Sequence, residues 1–261
     1  FVGTSALGVY ALFSWVALSL MTLMGSVIQA LQPHLYDVMS RTLGEKEIES
    51  YLLRPMRALS VGGALLFGVC SVVLPDLIAA FLAPYAEGLP VMQCLLFAAY
   101  LNCVYWVPAI MIFAVRLDGQ LYYLLACTIG VLISIISATA LLYAGTGALA
   151  VAIGFALSQI VVGTLTVARL WRYLFPANSM ASRFFSSLLG PLFNVVAAII
   201  AVHFLSGLLN LSSSPIVFRL FNAFGKGVAF LAICIPAIVM LERTTGIYRE
   251  HLKPFLLRLR T

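Results

Sequence analysis

Seven stretches of this chain of 261 residues are long, apolar and nearly free of charge, and they decide most of what it can fold into. They run roughly from Leu7 to Met39, Leu52 to Phe81, Leu89 to Val115, Leu121 to Tyr143, Ala148 to Trp171, Phe184 to Leu208 and Ile216 to Leu241. A helix needs about 20 mostly apolar residues to cross the hydrocarbon layer of a bilayer, so each run is long enough. Composition removes the soluble alternative. Apolar residues make up 63% of the chain and charged residues 9%, where soluble domains carry roughly half and about a quarter. Too few charged side chains remain to clothe a water-facing exterior. A membrane β-barrel would need segments of about ten residues that alternate between lipid and lumen. The run IGVLISII from Ile129 to Ile136 does not alternate. Unpaired backbone groups are costly in lipid, which leaves helices. The sequence predicts an all-α fold, a polytopic transmembrane helix bundle of about seven spans.

The basic residues give that bundle a direction. Arg41, Lys46, Arg54 and Arg57 lie between the first two spans, Arg116 follows the third, and Arg169, Arg172 and Arg183 lie between the fifth and sixth. Arg243, Arg249, Lys253, Arg258 and Arg260 follow the seventh, so 13 of the 15 Lys and Arg fall on alternate connections. The positive-inside rule makes that side cytoplasmic. The connections near Ala83 to Gly88, Ala144 to Gly147 and Asn210 to Pro215 hold no basic residue and are expected outside. Arg219 and Lys226 are the exceptions, and their long side chains are expected to snorkel toward headgroups. The expectation is a multi-pass protein of the cell (inner or plasma) membrane, entering from outside and ending inside with a basic cytoplasmic tail at 242–261. An outward start at Phe1, without Met or a basic leader, implies that more chain precedes it. The net charge of +6 sits in this cytoplasmic collar, against anionic membrane lipids.

Several chemistries lack a signature. Cys70, Cys94, Cys103, Cys127 and Cys234 all fall within spans, at no metal or CxxC spacing, and read as small packing residues. His34, His203 and His251 are scattered, so no metal site is expected, and no cofactor. GxSxG, GKS/T and HExxH do not occur, and nothing points to nucleic acid.

Polarity inside the spans is therefore the informative residue. In the first span Trp15, Ser19, Thr22, Ser26 and Gln29 recur in steps of four, three, four and three, on one helix face that ends at Pro33 and His34. Such a face is either the wall of a hydrated cavity or a small-residue seam between helices. Gly130, Ser134 and Ala138 repeat every four residues, as do Gly154 and Ser158, and these read as seams. Asn102, Tyr105 and Trp106 precede Pro108, a possible hinge with polar neighbours, so Asn102 joins the cavity candidates. Pro191 and Pro236 have fewer polar neighbours.

Certain segments carry a family likeness. LGVY at Leu7 to Tyr10 leads into a long helix ending VIQALQPHLYDVMSR, then the charged loop GEKE and the basic helix start LLRPMR. LAPYAEGLPVMQCLL at Leu82 to Leu96 and GTGALAVAIGFALSQ at Gly145 to Gln159 follow in order. Together these resemble the C-terminal lobe of polysaccharide flippases, in the multidrug, oligosaccharidyl-lipid and polysaccharide exporter superfamily. The resemblance implies helices eight to fourteen of that fold: core lobe helices over 7–208, an additional C-terminal helix at 216–241, and a missing N-terminal lobe. It implies alternating access of a lipid-linked oligosaccharide carried on polyprenyl pyrophosphate, for surface polysaccharide such as O-antigen or exopolysaccharide. Arg54, Arg57 and Arg116 are then candidates for pyrophosphate contact, alongside their role as topology charges. A multidrug or lipid II exporter would share the fold, and a membrane polysaccharide polymerase or glycosyltransferase would share the composition. The outward connections are too short for the polar catalytic loop that such an enzyme needs, so no enzyme activity is expected. Asp76 and Asp118 both lie near span ends, where a cation-coupled exporter would have its carboxylate deeper.

Overall fold

A computed structural model of the protein describes residues 4–39, 54–115, 117–174 and 216–245, together with 193, 196–197, 199–202 and 204. Among the described residues there is no strand, and the chain is an all-α polytopic bundle. Its helices are α1 (Thr4–Met39), α2 (Arg54–Phe81), α3 (Leu89–Val115), α4 (Leu117–Tyr143), α5 (Ala148–Leu174) and α6 (Ile216–Thr245), with a 3₁₀ turn at Ala83–Gly88 between α2 and α3. Among the described residues six helices are long and apolar enough to cross a membrane, and they coincide with six of the seven expected runs. The remaining run, Phe184 to Leu208, falls mostly outside the described residues; those described between 193 and 204 are helical.

Prolines inside spans do not end the helices. α1 continues through Pro33, α2 through Pro75, α3 through Pro108 and α6 through Pro236. In a span a freed carbonyl is re-satisfied by neighbours, which makes an internal proline tolerable. The stripe on α1 was expected to stop at Pro33; the helix itself runs on to Met39. Pro191 lies outside the described residues.

The helices differ in what surrounds them. α3 is apolar around most of its circumference, Gln93 and Asn102 excepted, as suits a helix enclosed by others. Its spanning stretch is 78% buried, whereas that of α4 is 11% buried. α1, α2 and α5 pack around α3, α4 lies on α5, and α6 lies on α2. The core accordingly centres on α3: Met92, Leu96, Val107 and Met111 meet Phe13 and Ile28 of α1 and Phe67 of α2. Ser60 and Tyr100 tie α2 to α3 with a buried hydrogen bond of 2.9 Å. Outward, α4 presents Leu121, Leu124, Leu132, Ile135 and Ile136, a lipid-facing surface by composition.

The two glycine stripes are two halves of one seam. A Cβ added at Gly130 would meet Ser158 and Val162, and one at Gly154 would lie 2.7 Å from the Ser134 carbonyl and 3.0 Å from the Ala138 methyl. The reading of both stripes as close-packing surfaces holds, and each closes on the other. The hairpin joining these helices ends in a Schellman turn: Thr146 N–H donates to the Leu141 carbonyl at 3.2 Å and Gly145 N–H to Leu142 at 3.0 Å. That turn needs left-handed backbone at Gly145, where φ is +82°. Short connections make α2 and α3, and α4 and α5, antiparallel neighbours. All five cysteines are free thiols, with Cys103 and Cys234 fully buried as packing residues.

Candidate functional site

The five stripe residues of α1 share a face that points away from the other described helices. Trp15 is 69% exposed, and Ser19, Thr22, Ser26 and Gln29 are exposed too. Phe13, Ala17, Met24 and Ile28 take the opposite, buried face. The hydroxyls bond within their own helix: Ser19 donates to the Trp15 carbonyl at 2.9 Å, Thr22 to Leu18 at 2.9 Å and Ser26 to Thr22 at 3.0 Å. The stripe is thus not a seam with any other described helix. Gln29 has no hydrogen-bond partner among the described residues, so its amide is left for whatever covers that face.

Asn102 sits elsewhere, on α3, half-buried among helices. Its Nδ2 donates to Oε1 of Gln159 on α5 at 2.9 Å, a polar link across the most enclosed part of the bundle. Around this pair a cavity of about 220 Å³ opens between α3, α4 and α5, lined also by Tyr105, Trp106, Tyr123 and Thr166. Thr166 donates to Val162 of its own helix at 2.7 Å, so its hydroxyl is already occupied. Two aromatic walls are seated on glycines. A Cβ at Gly163 would run into the Tyr105 ring, and one at Gly25 of α1 would lie 3.0 Å from the Trp106 ring. Trp106 therefore separates the α1 helix from the cavity. A second cavity of about 130 Å³, between α2, α3, Val196 and Ile199, is mostly apolar apart from Ser71, Gln93 and Tyr100.

The cationic candidates are less well placed in the described part. Arg54 opens α2, but its side chain, like all of Arg116, lies outside the described residues. Arg57 is half-buried in the first turn of α2. A cation at a helix N-terminus gains nothing from the helix dipole, so helix stability does not explain it.

Sequence reasoning missed two features. Gln159 was part of a glycine-rich helix start, and nothing in its own spacing marked it as the partner of Asn102. Arg219 and Lys226 were expected to snorkel to headgroups; instead Lys226 Nζ lies 2.8 Å from Asp76 Oδ2, with both side chains about four-fifths buried at 19% and 18% exposure. Asn222 Nδ2 donates to the same oxygen at 3.4 Å, and Arg219 donates to the Ala79 carbonyl at 2.6 Å. The correction has a simple cause. The last turn of α2 offers carbonyls without helical partners, and Asp76 offers a negative charge, so the cations of α6 find acceptors in protein. The signal was available: two basic residues off the basic side, seven positions or about two helical turns apart, and a lone aspartate in another span.

Among the described residues, no three His, Cys, Asp or Glu side chains gather as a metal site would require. No protein-family model matches the sequence, and neither a curated protein nor a solved structure matches it.

Proposed function

We propose that this chain is one lobe of a membrane transporter that flips a polyprenyl-pyrophosphate-linked oligosaccharide outward by alternating access, for surface polysaccharide synthesis. The observation that carries the reading is the exposed polar face of α1, where Trp15 and a Gln29 amide with no partner among the described residues flank three hydroxyls. Gln29 stands at the end of the apolar stretch Ala6–Ala30, and a polar amide there favours water or a polar partner over lipid tails. A second lobe, arriving from an N-terminal half, would turn it into the wall of a hydrated passage. Sugars need such a passage while the lipid tail stays in the bilayer. Arg54, Arg57 and Arg116 stand at the basic end, where a pyrophosphate would enter, in the cell's inner or plasma membrane with the basic tail inside. The family likeness of LGVY, GEKE and LAPYAEG supports the same cargo. The protein performs no covalent step in this reading.

Replacing Ser19, Thr22 or Ser26 with Leu tests it. Each hydroxyl bonds only within α1, and Leu is favourable in a span, so insertion and folded abundance should stay near the parent level. Surface-glycan production by the full-length protein should fall severalfold as the passage dries and narrows. Variants that keep full glycan output, or that lose abundance in step with it, would remove the passage assignment.

A further inference from the structure

We infer that the cavity between α3, α4 and α5 binds one neutral sugar ring of the cargo, at a place distinct from the α1 face. This deepens the transporter reading and rests on it. Charge is the first discriminator. No lining residue is charged, and an ion entering a lipid-embedded cavity without a counter-charge pays its full desolvation cost, so phosphate and metal cations are disfavoured. Hydrogen-bonding capacity is the second. After Asn102 donates to Gln159, the Asn102 Oδ1, its other N–H and both N–H groups of Gln159 have no partner among the described residues. A set that both donates and accepts matches vicinal hydroxyls, each of which also does both.

Size and walls narrow the ligand further. The volume, about 220 Å³, is below the roughly 300 Å³ at which pockets for drug-sized ligands begin. It equals roughly seven waters at about 30 Å³ each, which is room for a single pyranose and not for an oligosaccharide. Water alone would leave Tyr105, Trp106 and Tyr123 without use, whereas aromatic faces cover the C–H faces of a sugar ring. Gly163 and Gly25 let the Tyr105 and Trp106 rings seat closely against α5 and α1, which fixes two of those walls. Three rings without an amide pair would instead suit a quaternary ammonium ion through cation–π attraction. The Asn102–Gln159 pair is what favours the hydroxylated ligand.

The test is tryptophan fluorescence of the full-length protein in lipid nanodiscs, titrated separately with methyl glycosides of glucose, galactose, rhamnose and N-acetylglucosamine, and with choline. At least one glycoside should give a saturable change that vanishes in Trp106→Phe and needs at least tenfold more ligand in Gln159→Leu. Saturation by choline alone, by nothing, or with unchanged affinity in folded Gln159→Leu overturns the proposal. If Gln159→Leu does not fold, the ranking of glycosides against choline on the parent protein decides. Glycan-lipid flipping measured alongside separates the two levels. Normal flipping by folded Gln159→Leu removes the sugar site and leaves the transporter reading intact, whereas a parent protein that flips no glycan lipid removes both.

Discussion

Asp76 and Lys226 stand 2.8 Å apart on α2 and α6, each within a stretch otherwise apolar enough to span the membrane. A lone charge so far inside the protein would lose most of its hydration, and the pair lets each neutralise the other while Asn222 supplies a further donor. Among the described helices α6 packs mainly on α2, so this contact and the Arg219 hydrogen bond to Ala79 orient it against that helix. Asp76→Asn and Lys226→Met should each lower thermal stability. The expected cost is roughly 1 to 3 kcal/mol, below that of a fully enclosed pair because some solvent or headgroup still reaches these side chains. Combining the two substitutions should restore part of the loss, because neither charge is then left alone. Thermal unfolding of the detergent-solubilised single and double variants measures the cycle, and strictly additive losses would mean that the ion pair contributes nothing.

At the scale of helices, small residues decide which pairs approach closely. Lipid tails offer α4 and α5 as apolar a surface as they offer each other, so association depends on shape. Gly154 lies against the backbone of Ser134, and Gly130 against Ser158 and Val162, leaving no space for a side chain at either point. Gly154→Leu should therefore push α4 from α5 and cost at least the 1 to 3 kcal/mol typical of overpacked cores. Gly145→Leu, in the open turn, meets nothing within 4 Å and strains only the left-handed backbone, at about 1 to 2 kcal/mol. Comparing the folded yield and melting temperature of the two variants tests the seam, and equal losses would count against it. Both stripes were legible in the sequence because spacing of four is a helical property; that they face one another was not, because pairing depends on how the intervening turn folds back.

For the whole molecule, the order of helices fixes which connections share a side. The 3₁₀ turn at Ala83–Gly88 and the turn at Ala144–Gly147 are separated by two spans, α3 and α4, so they must emerge together. Single cysteines at positions 85 and 145, on a background freed of the five native cysteines, should react with an impermeant maleimide added to intact cells. A cysteine at position 46 should react only after the membrane is opened, as the positive-inside rule requires. Labelling of position 46 from outside would reverse the whole orientation, and opposite behaviour of 85 and 145 would contradict the order of spans. Position 46 lies outside the described residues, so this arm rests on charge distribution alone.

What the sequence determined by itself is what depends on neighbours along the chain. Span length, helical character, the glycine stripes and the one-sided face of Trp15, Ser19, Thr22, Ser26 and Gln29 follow from hydropathy and a period of 3.6 residues, and the helices appear where those runs lie. Tertiary structure alone decided which face meets what. It turned the α1 stripe away from the other described helices, put Asn102 against Gln159 57 positions later, and matched Lys226 to Asp76 150 positions earlier. Such pairings come from the folding back of antiparallel helices around α3. A side chain in lipid takes whatever polar partner that arrangement brings within reach, and no local spacing encodes the partner's identity.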